Sequence, residues 1–302
     1  MKQVHFTAVS TALSVVLLGS SLFTSPHVVA AEERGHWTLS YQQIKVDGFE
    51  STVGDLDIGE TDTQSLNFEI SYRITDRTTL YAGIPLVRKR YTGNFPHRPD
   101  TLVPARSDDF VDDGDYHTDF QDFLLGVSHV VYSEDLTVEP FLFYGLPSHD
   151  YAHFGHAAVG QNLWKLELGT RLTYKPPLSD FYFRFDPSYV FVEETLGTSI
   201  DHWKALAEVG YHFGGGRVGR LFVLTKQGDG LEFPDDFPPP RTTEAWYQHD
   251  RMVRHNYTNV GIGFDWSVGA KTSVSTSAFT MVQEEQVHIL EYAFSVGISR
   301  SF

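Results

Sequence analysis

The last sixteen residues, Val287 to Phe302 (VHILEYAFSVGISRSF), decide how the rest of the chain is read. Taken by alternate positions, Leu290, Tyr292, Phe294, Val296, Ile298 and the terminal Phe302 fall on one face. Glu291, Ala293, Ser295, Gly297 and Ser299 fall on the other. A period of two with one apolar side is the pattern of a β-strand. In a soluble sheet that apolar side faces a core. In a closed membrane sheet it faces lipid, and the interior is the polar side.

The opposite end of the chain bears on the choice. Lys2 precedes an apolar run from Ala12 to Phe23, and Val28, Val29 and Ala30 lead to Ala31. This order of charge, apolar run and small residues is that of a secretory leader cut near Ala30. The run is shorter than the roughly 20 residues a spanning helix needs. Residues 1–30 are therefore expected to be the leader and 31–302 one β domain. With Lys2 gone, 22 basic residues face 39 acidic ones, a formal charge of −17. So acidic a chain lacks the basic patch of a nucleic-acid reader. Mean hydropathy is −0.23, and no later apolar run is long enough to span, so any crossing must be made by strands. Cysteine is absent, which excludes disulfides, thiol nucleophiles and thiolate metal sites.

Alternation recurs along the whole chain. The clearest case sets Trp164, Leu166, Leu168, Leu172 and Tyr174 against Lys165, Glu167, Gly169, Arg171 and Thr173. Facing Lys165 or Arg171 toward mid-bilayer lipid would cost about 2–4 kcal/mol each, so their side is the lumen. Twelve such segments can be marked, with Val218 to Lys226 the least regular. The links after the second, fourth, sixth, eighth and tenth are short. Those after the odd-numbered strands are mostly long, including Asp47 to Asp62, Gly93 to His117, Pro147 to Gly160 and Gln227 to Arg254. A β-sandwich has no reason to sort its links in this way. The expected fold is all-β: a single transmembrane antiparallel up-and-down barrel of about 12 strands, with short periplasmic turns and long extracellular loops.

Register then assigns an interior. Charged positions facing inward are Glu69 and Arg73, Asp122, Lys165, Glu167 and Arg171, Arg184 and Asp186, Lys204, Glu208 and His212, Asp265 and Glu291. They either pair across strands and brace the lumen, or segregate by sign and set a field across a pore. Tyr81, Leu124, Phe141 and Phe143 form an inward apolar patch beside Gly83 and Gly145. Such a patch suits a hydrophobic or aromatic solute, or else a loop packed into the lumen.

The loops hold the remaining chemistry. His149, Asp150, His153 and His156 have spacing that a divalent metal can use. Asp108, Asp109, Asp112, Asp113 and Asp115 form an acidic rim without a regular calcium loop. Ser148 and His149 adjoin without an evident third partner, and Ser128 and His129 point to opposite faces of one strand. No cofactor motif or nucleophile elbow occurs, so no enzyme is expected.

A final strand ending on Phe302 resembles the C-terminal strand of bacterial outer-membrane barrels. Four stretches, Tyr81 to Tyr91 (YAGIPLVRKRY), Asp119 to Val127 (DFQDFLLGV), Tyr144 to Tyr151 (YGLPSHDY) and Gly160 to Tyr174 (GQNLWKLELGTRLTY), resemble the outer-membrane transporter family associated with the meta-pathway of phenol degradation. Where that family has Gly-x-Gly-Asp, this chain has Asp119-Phe120-Gln121-Asp122. Where it has Pro-Thr-Gly, this chain has Pro147-Ser148-His149. The resemblance implies an outer-membrane barrel admitting small aromatic or hydrophobic molecules down a gradient. Its expected partners are outer-membrane lipid and a small solute. The alternatives are a non-conducting barrel whose acidic loops hold a partner or divalent ions, and an outer-membrane hydrolase.

Overall fold

The computed structural model describes residues 33–93, 110–233, 235–236 and 243–302. Among them are twelve barrel strands. The first six are β1 (Gly35–Ser51), β2 (Gly54–Arg73), β3 (Thr78–Thr92), β4 in two pieces (His117–Phe120 and Asp122–His129), β5 (Leu136–Pro147) and β6 (Lys165–Tyr174). The others are β7 (Phe181–Val192), β8 (His202–Gly214), β9 (Arg217–Gly228), β10 (Asn256–Ser267), β11 (Thr272–Glu285) and β12 (His288–Ser301). Each is antiparallel to the next, and β12 returns to β1 from His36 opposite Ser301 to Phe49 opposite His288. Closure removes both sheet edges, which makes the structure compatible with lipid.

The side chains on the outer face explain why the sheet closes on itself rather than stacking on another. Leu66, Phe68, Leu125, Leu168, Phe183, Phe185, Leu221, Ile262, Phe294 and Val296 are each more than a third exposed. So much exposed apolar surface is at home only in hydrocarbon. Aromatic rings gather at its two margins. Phe181, Tyr211 and Phe213 contact one another near the periplasmic turns, and Tyr189, Phe191 and Trp203 do so near the outer loops. From Phe181 to Phe191 a tilted strand rises about 25 Å, the height of an apolar barrel band.

The short periplasmic links fall at 74–77, 130–135, 175–180, 215–216 and 268–271. On the other side the structure corrects two expected boundaries. Asp47 to Asp62 is not a loop: β1 and β2 continue as a ladder to Ser51 opposite Gly54, and only Thr52 and Val53 turn. Polar residues are natural in this stretch because it stands above the bilayer. Gly48, at φ +74°, takes up the register shift between Asp47 and Phe49, which turns Phe49 inward. The fourth strand, expected to run unbroken to Tyr132, is interrupted at Gln121 and again at Val130 and Val131, after which Tyr132 and Ser133 resume the pairing with β5. The least regular segment, β9, is in fact a full twelve-residue strand.

A bulge in β12 produces a third correction. Lys45 pairs with Tyr292 and Val46 with Leu290, so Glu291 is the extra residue. Below it on the chain, Leu290 points inward and is buried. Glu291 is turned out of the lumen and bonds Lys45 at 3.0 Å, and Lys45 also reaches Glu60 at 3.3 Å. These are charges of an outer collar and not of the lining.

Candidate functional site

The lumen has two unlike walls. On β11, β12, β1 and β2 it is lined by small hydroxyl and amide residues, among them Ser273, Ser277, Ser299, Thr38, Ser65 and Asn67, all buried. On β5 to β10 it is lined by ion pairs. Arg171 joins Glu139 and Asp186, each at 3.3 Å, and Arg184 also holds Asp186. Lys204 bonds both oxygens of Glu167, whose Oε1 accepts the Ser188 hydroxyl at 2.6 Å. Arg220 sits between Glu208 at 3.3 Å and Asp265 at 2.8 Å, and the Tyr182 hydroxyl donates to Glu208. The signs are interleaved, not sorted into two walls. Pairs form within a strand, between neighbours and across one intervening strand, so that opposite charges meet as confined charges require. Toward the periplasmic end, Arg73 donates to the Glu33 carbonyl, Glu69 borders a cavity with Tyr81, and His212 lies against Tyr182.

Sequence reasoning missed Glu139, Arg220 and Lys226. The last two sit on β9, where Leu224 and Phe222 put apolar side chains on the inward face as well and blur the alternation. The signal that could have found them is the register opposite β8, which brings Lys226 to Lys204 and Arg220 to Gly210 beside Glu208.

The apolar patch is set into the charged wall. Tyr81 and Phe143 have ring centres 5.4 Å apart, Phe143 and Phe141 are 5.3 Å apart, and Arg171 lies over Phe141 at 5.9 Å. Phe143 and Phe141 each lie on a cross-strand glycine. A Cβ on Gly126 would meet Phe143 at 2.2 Å, and one on Gly169 would meet Phe141 at 2.4 Å. Tyr182 over Gly210 and Phe222 over Gly261 repeat the device. The glycines expected beside the patch, Gly83 and Gly145, do not lie under these rings. Leu124 and Phe143 border two small cavities, of about 20 Å³ and 50 Å³. An apolar cavity of about 150 Å³ is needed to hold benzene. Neither of these two cavities holds an aromatic ring as it stands.

Above the patch, the outer mouth is closed by packed loops. Residues 148–164 and 243–255, which include α1 (Glu244–Tyr247), bury Phe154, Ala157, Leu163, Trp246, Tyr247 and His249. Phe154 stacks on Tyr247, and with Phe233 and Trp246 they meet Phe49 and Ile58 from the tall β1–β2 hairpin. Asp112 is not part of an acidic rim: fully buried, its carboxylate accepts the backbone N–H groups of His156 and Ala157 at 3.0 and 2.8 Å. Asp250 accepts that of Gly155. Asp113 and Asp115 remain near the surface, where burial raises the Asp113 pKa less than bonds from His117 and the Asp115 N–H lower it. Asp108 and Asp109 lie outside the described residues. Lys89 donates to the Ala158 carbonyl. Tyr151 reaches down to Asp122, and burial, then Asp122, holds its hydroxyl protonated far above the usual phenol range. Gln286, at the β11–β12 turn, bonds both the N–H and the carbonyl of Phe233.

The four metal candidates are not brought together. His149 faces Asp119, Asp150 accepts from Asn162, His153 lies against Tyr247, and His156 stacks on Tyr91 beside His288. Among the described residues no group of three or more ligands converges on one point. Packing of the loop separates side chains that sequence spacing put together. Ser148 does gain a third partner: it lies 2.9 Å from His149 Nδ1, and His149 Nε2 is 3.1 Å from Asp119. Its hydroxyl, however, donates to the Phe120 carbonyl at 3.0 Å, so its proton is not aimed at the ring.

With the geometry set out, likeness to solved structures can be weighed. The COG4313 outer membrane channel from Pseudomonas putida F1 superposes with a TM-score of 0.69 at 12% identity, over 92% of this chain and 100% of that one. The fold is that of a bacterial outer-membrane barrel. The translocator domain of the autotransporter NalP from Neisseria meningitidis follows at 0.53 and 12% identity, over 89% of this chain and 88% of that one. The transport unit of the autotransporter AIDA-I from Escherichia coli gives 0.52 and 9% identity, over 95% of each chain. No family model matches the sequence, and no curated protein matches it either. Identities this low carry the barrel and nothing about its cargo.

Proposed function

We propose that this barrel is an outer-membrane channel for passive passage of small hydrophobic or aromatic molecules. The observation that carries the reading is the ladder of Tyr81, Phe143 and Phe141, set among the ion pairs of β5 to β8 in the lumen wall. Side chains whose only task was bracing would be polar there. The resemblance to transporters of the phenol meta-pathway points the same way, and so does the shared fold of an outer membrane channel. Export through the leader at 1–30, cut near Ala30, precedes insertion on this reading.

The channel is shut at rest by the loop plug. Opening then means releasing the plug, and Asp112 is its strongest single anchor. The test is planar-bilayer recording and liposome flux of benzyl alcohol, on the refolded protein and on Asp112→Ala. Loss of two charge-assisted bonds destabilises the plug by about 1–3 kcal/mol and should raise conductance and flux together. A barrel that passes neither ions nor solute in both forms is not a channel.

The plugged mouth favours one other reading, a non-conducting barrel that presents its loops to a surface partner. On that view Asp112→Ala would abolish partner capture and leave the bilayer silent.

A further inference from the structure

Two arginines on the outside of the barrel have no carboxylate. Arg88 and Arg90 lie two residues apart on β3, on the face opposite that of the buried Val87, Lys89 and Tyr91. Both guanidinium groups lie over the ring of Tyr116, their central carbons 4.2 and 4.5 Å from its centroid. Neither has a hydrogen bond or ion pair among the described residues. The ladder sets Asp62 directly opposite Arg90, yet its Oδ1 accepts the Gln43 amide and its Oδ2 the Tyr116 hydroxyl. Other cations at this end are matched: Lys45 by Glu60 and Glu291, Arg254 by Glu232 and Glu285. Arg90 Nε is buried without an acceptor. A ring face stabilises a cation but supplies no oxygen, so the N–H donors of both groups are left for another acceptor. Two like charges held over one ring also repel, and an anion between them relieves that repulsion.

The register fixes the height of the pair. Across the outer face, Tyr41, Leu66, Leu86 and Phe120 form one row. Leu66 and Phe120 are exposed there, as side chains of the apolar band are. The next row toward the outer loops is Gln43, Gln64, Arg88 and Thr118, and the one beyond it holds Lys45, Asp62 and Arg90. At about 3.3 Å per residue the two arginines stand roughly 7 and 13 Å along the strand from the apolar row. On a tilted strand this is headgroup depth, where the phosphates of a leaflet lie. We propose that Arg88 and Arg90 clamp the phosphate of an outer-leaflet lipid, with Tyr116 holding the two guanidinium groups in place and the acyl chains lying against Leu66 and Phe120. The fork of a guanidinium matches the geometry of phosphate oxygens. The site needs only the inserted barrel, and it stands whether or not a solute passes through the lumen.

The probe is lipid A, a phosphorylated and acylated disaccharide, titrated onto the refolded full barrel in detergent with EDTA present. Chelation removes divalent bridges to acidic loops, so the binding that remains belongs to direct contacts. Dephosphorylated lipid A and inorganic phosphate are the controls. The pair Arg88→Gln with Arg90→Gln is compared with the pair Arg88→Lys with Arg90→Lys, and with Arg77→Gln, which alters an exposed arginine at a periplasmic turn. Heat-modifiable migration on gels verifies that each is folded. Lipid A should bind roughly tenfold more tightly than its dephosphorylated form, and the glutamine pair should lose that advantage. The lysine pair should fall between, since it keeps the charges and loses the forks. Arg77→Gln should bind as the native protein does. Equal binding of the two lipids, a glutamine pair that binds lipid A normally, or a loss in Arg77→Gln as large as in the pair would each overturn the site. A lysine pair with native affinity would overturn the clamp even if the glutamine pair does not fold. Inorganic phosphate that binds as tightly as lipid A would overturn the lipid as its source.

Discussion

Gly126 and Gly169 have no side chain because Phe143 and Phe141 fill the space above them. Packing at this density makes one methyl group matter. Gly126→Ala should force the Phe143 ring toward the axis and cost about 1–3 kcal/mol of overpacking. A lower urea midpoint for barrel unfolding would register it, and an unchanged midpoint would mean that the ring moves freely. Arg220 is a sharper case. Fully desolvated between Glu208 and Asp265, it neutralises two carboxylates at once. Arg220→Ala removes this buried cation from both and should cost about 3–5 kcal/mol. Arg171→Ala should cost less, because its side chain is 18% exposed and water can replace part of its role. Equal midpoints for the two variants would contradict this ranking.

Strands here are readable because each must satisfy two solvents. β6 shows it: Leu166, Leu168 and Leu172 lie on the outer face of the barrel while Lys165, Glu167 and Arg171 face the lumen, as the alternation says. Leu168→Lys at mid-height should cost about 2–4 kcal/mol and lower the fraction that refolds into vesicles. Refolding at the native yield would place Leu168 away from lipid. β12 shows the limit of the same reasoning. A single bulged residue shifts the register, so that Leu290 and Glu291 exchange the sides that strict alternation assigns them. The tall β1–β2 hairpin fails for another reason. Above the bilayer there is no lipid to impose an apolar face, so strand residues there read as a polar loop.

Across the whole molecule, the layers run from an ion-paired lower lumen, through the aromatic ladder of Tyr81, Phe143 and Phe141, to a plug built from three loops. The plug has a built-in acid sensitivity. His255 is kept neutral by burial first, then by Lys226 and His288, so its pKa lies well below the ordinary value. An opened or unfolded plug would let His255 take a proton near pH 6.5. Below that pH the open form binds more protons than the closed one, so stability is complete above about pH 6.5 and is lost as pH falls. Mean conductance should rise from pH 8 to pH 5, and His255→Gln should flatten the profile. A native protein with the same conductance throughout would rule this coupling out.

Alternation, the leader-like N-terminus and the sorted links were enough to make this chain a twelve-stranded barrel with a charged lumen. Those features are local: each residue's solvent follows from its parity and from the price of a charge in hydrocarbon. Which charges meet was not legible, since Arg220 reaches Glu208 and Asp265 only through the pairing of β9 with both neighbours. Nor was the plug. Asp112 became an anchor and the loop histidines were scattered because loops distant in sequence fold into one space. Contacts of that kind have no period to betray them. The isolation of Lys226, opposite Lys204 on the neighbouring strand and without an ion pair among the described residues, belongs to the same class. A lone lysine on a strand is unremarked in the sequence, and its lack of a partner exists only once the barrel has closed around it.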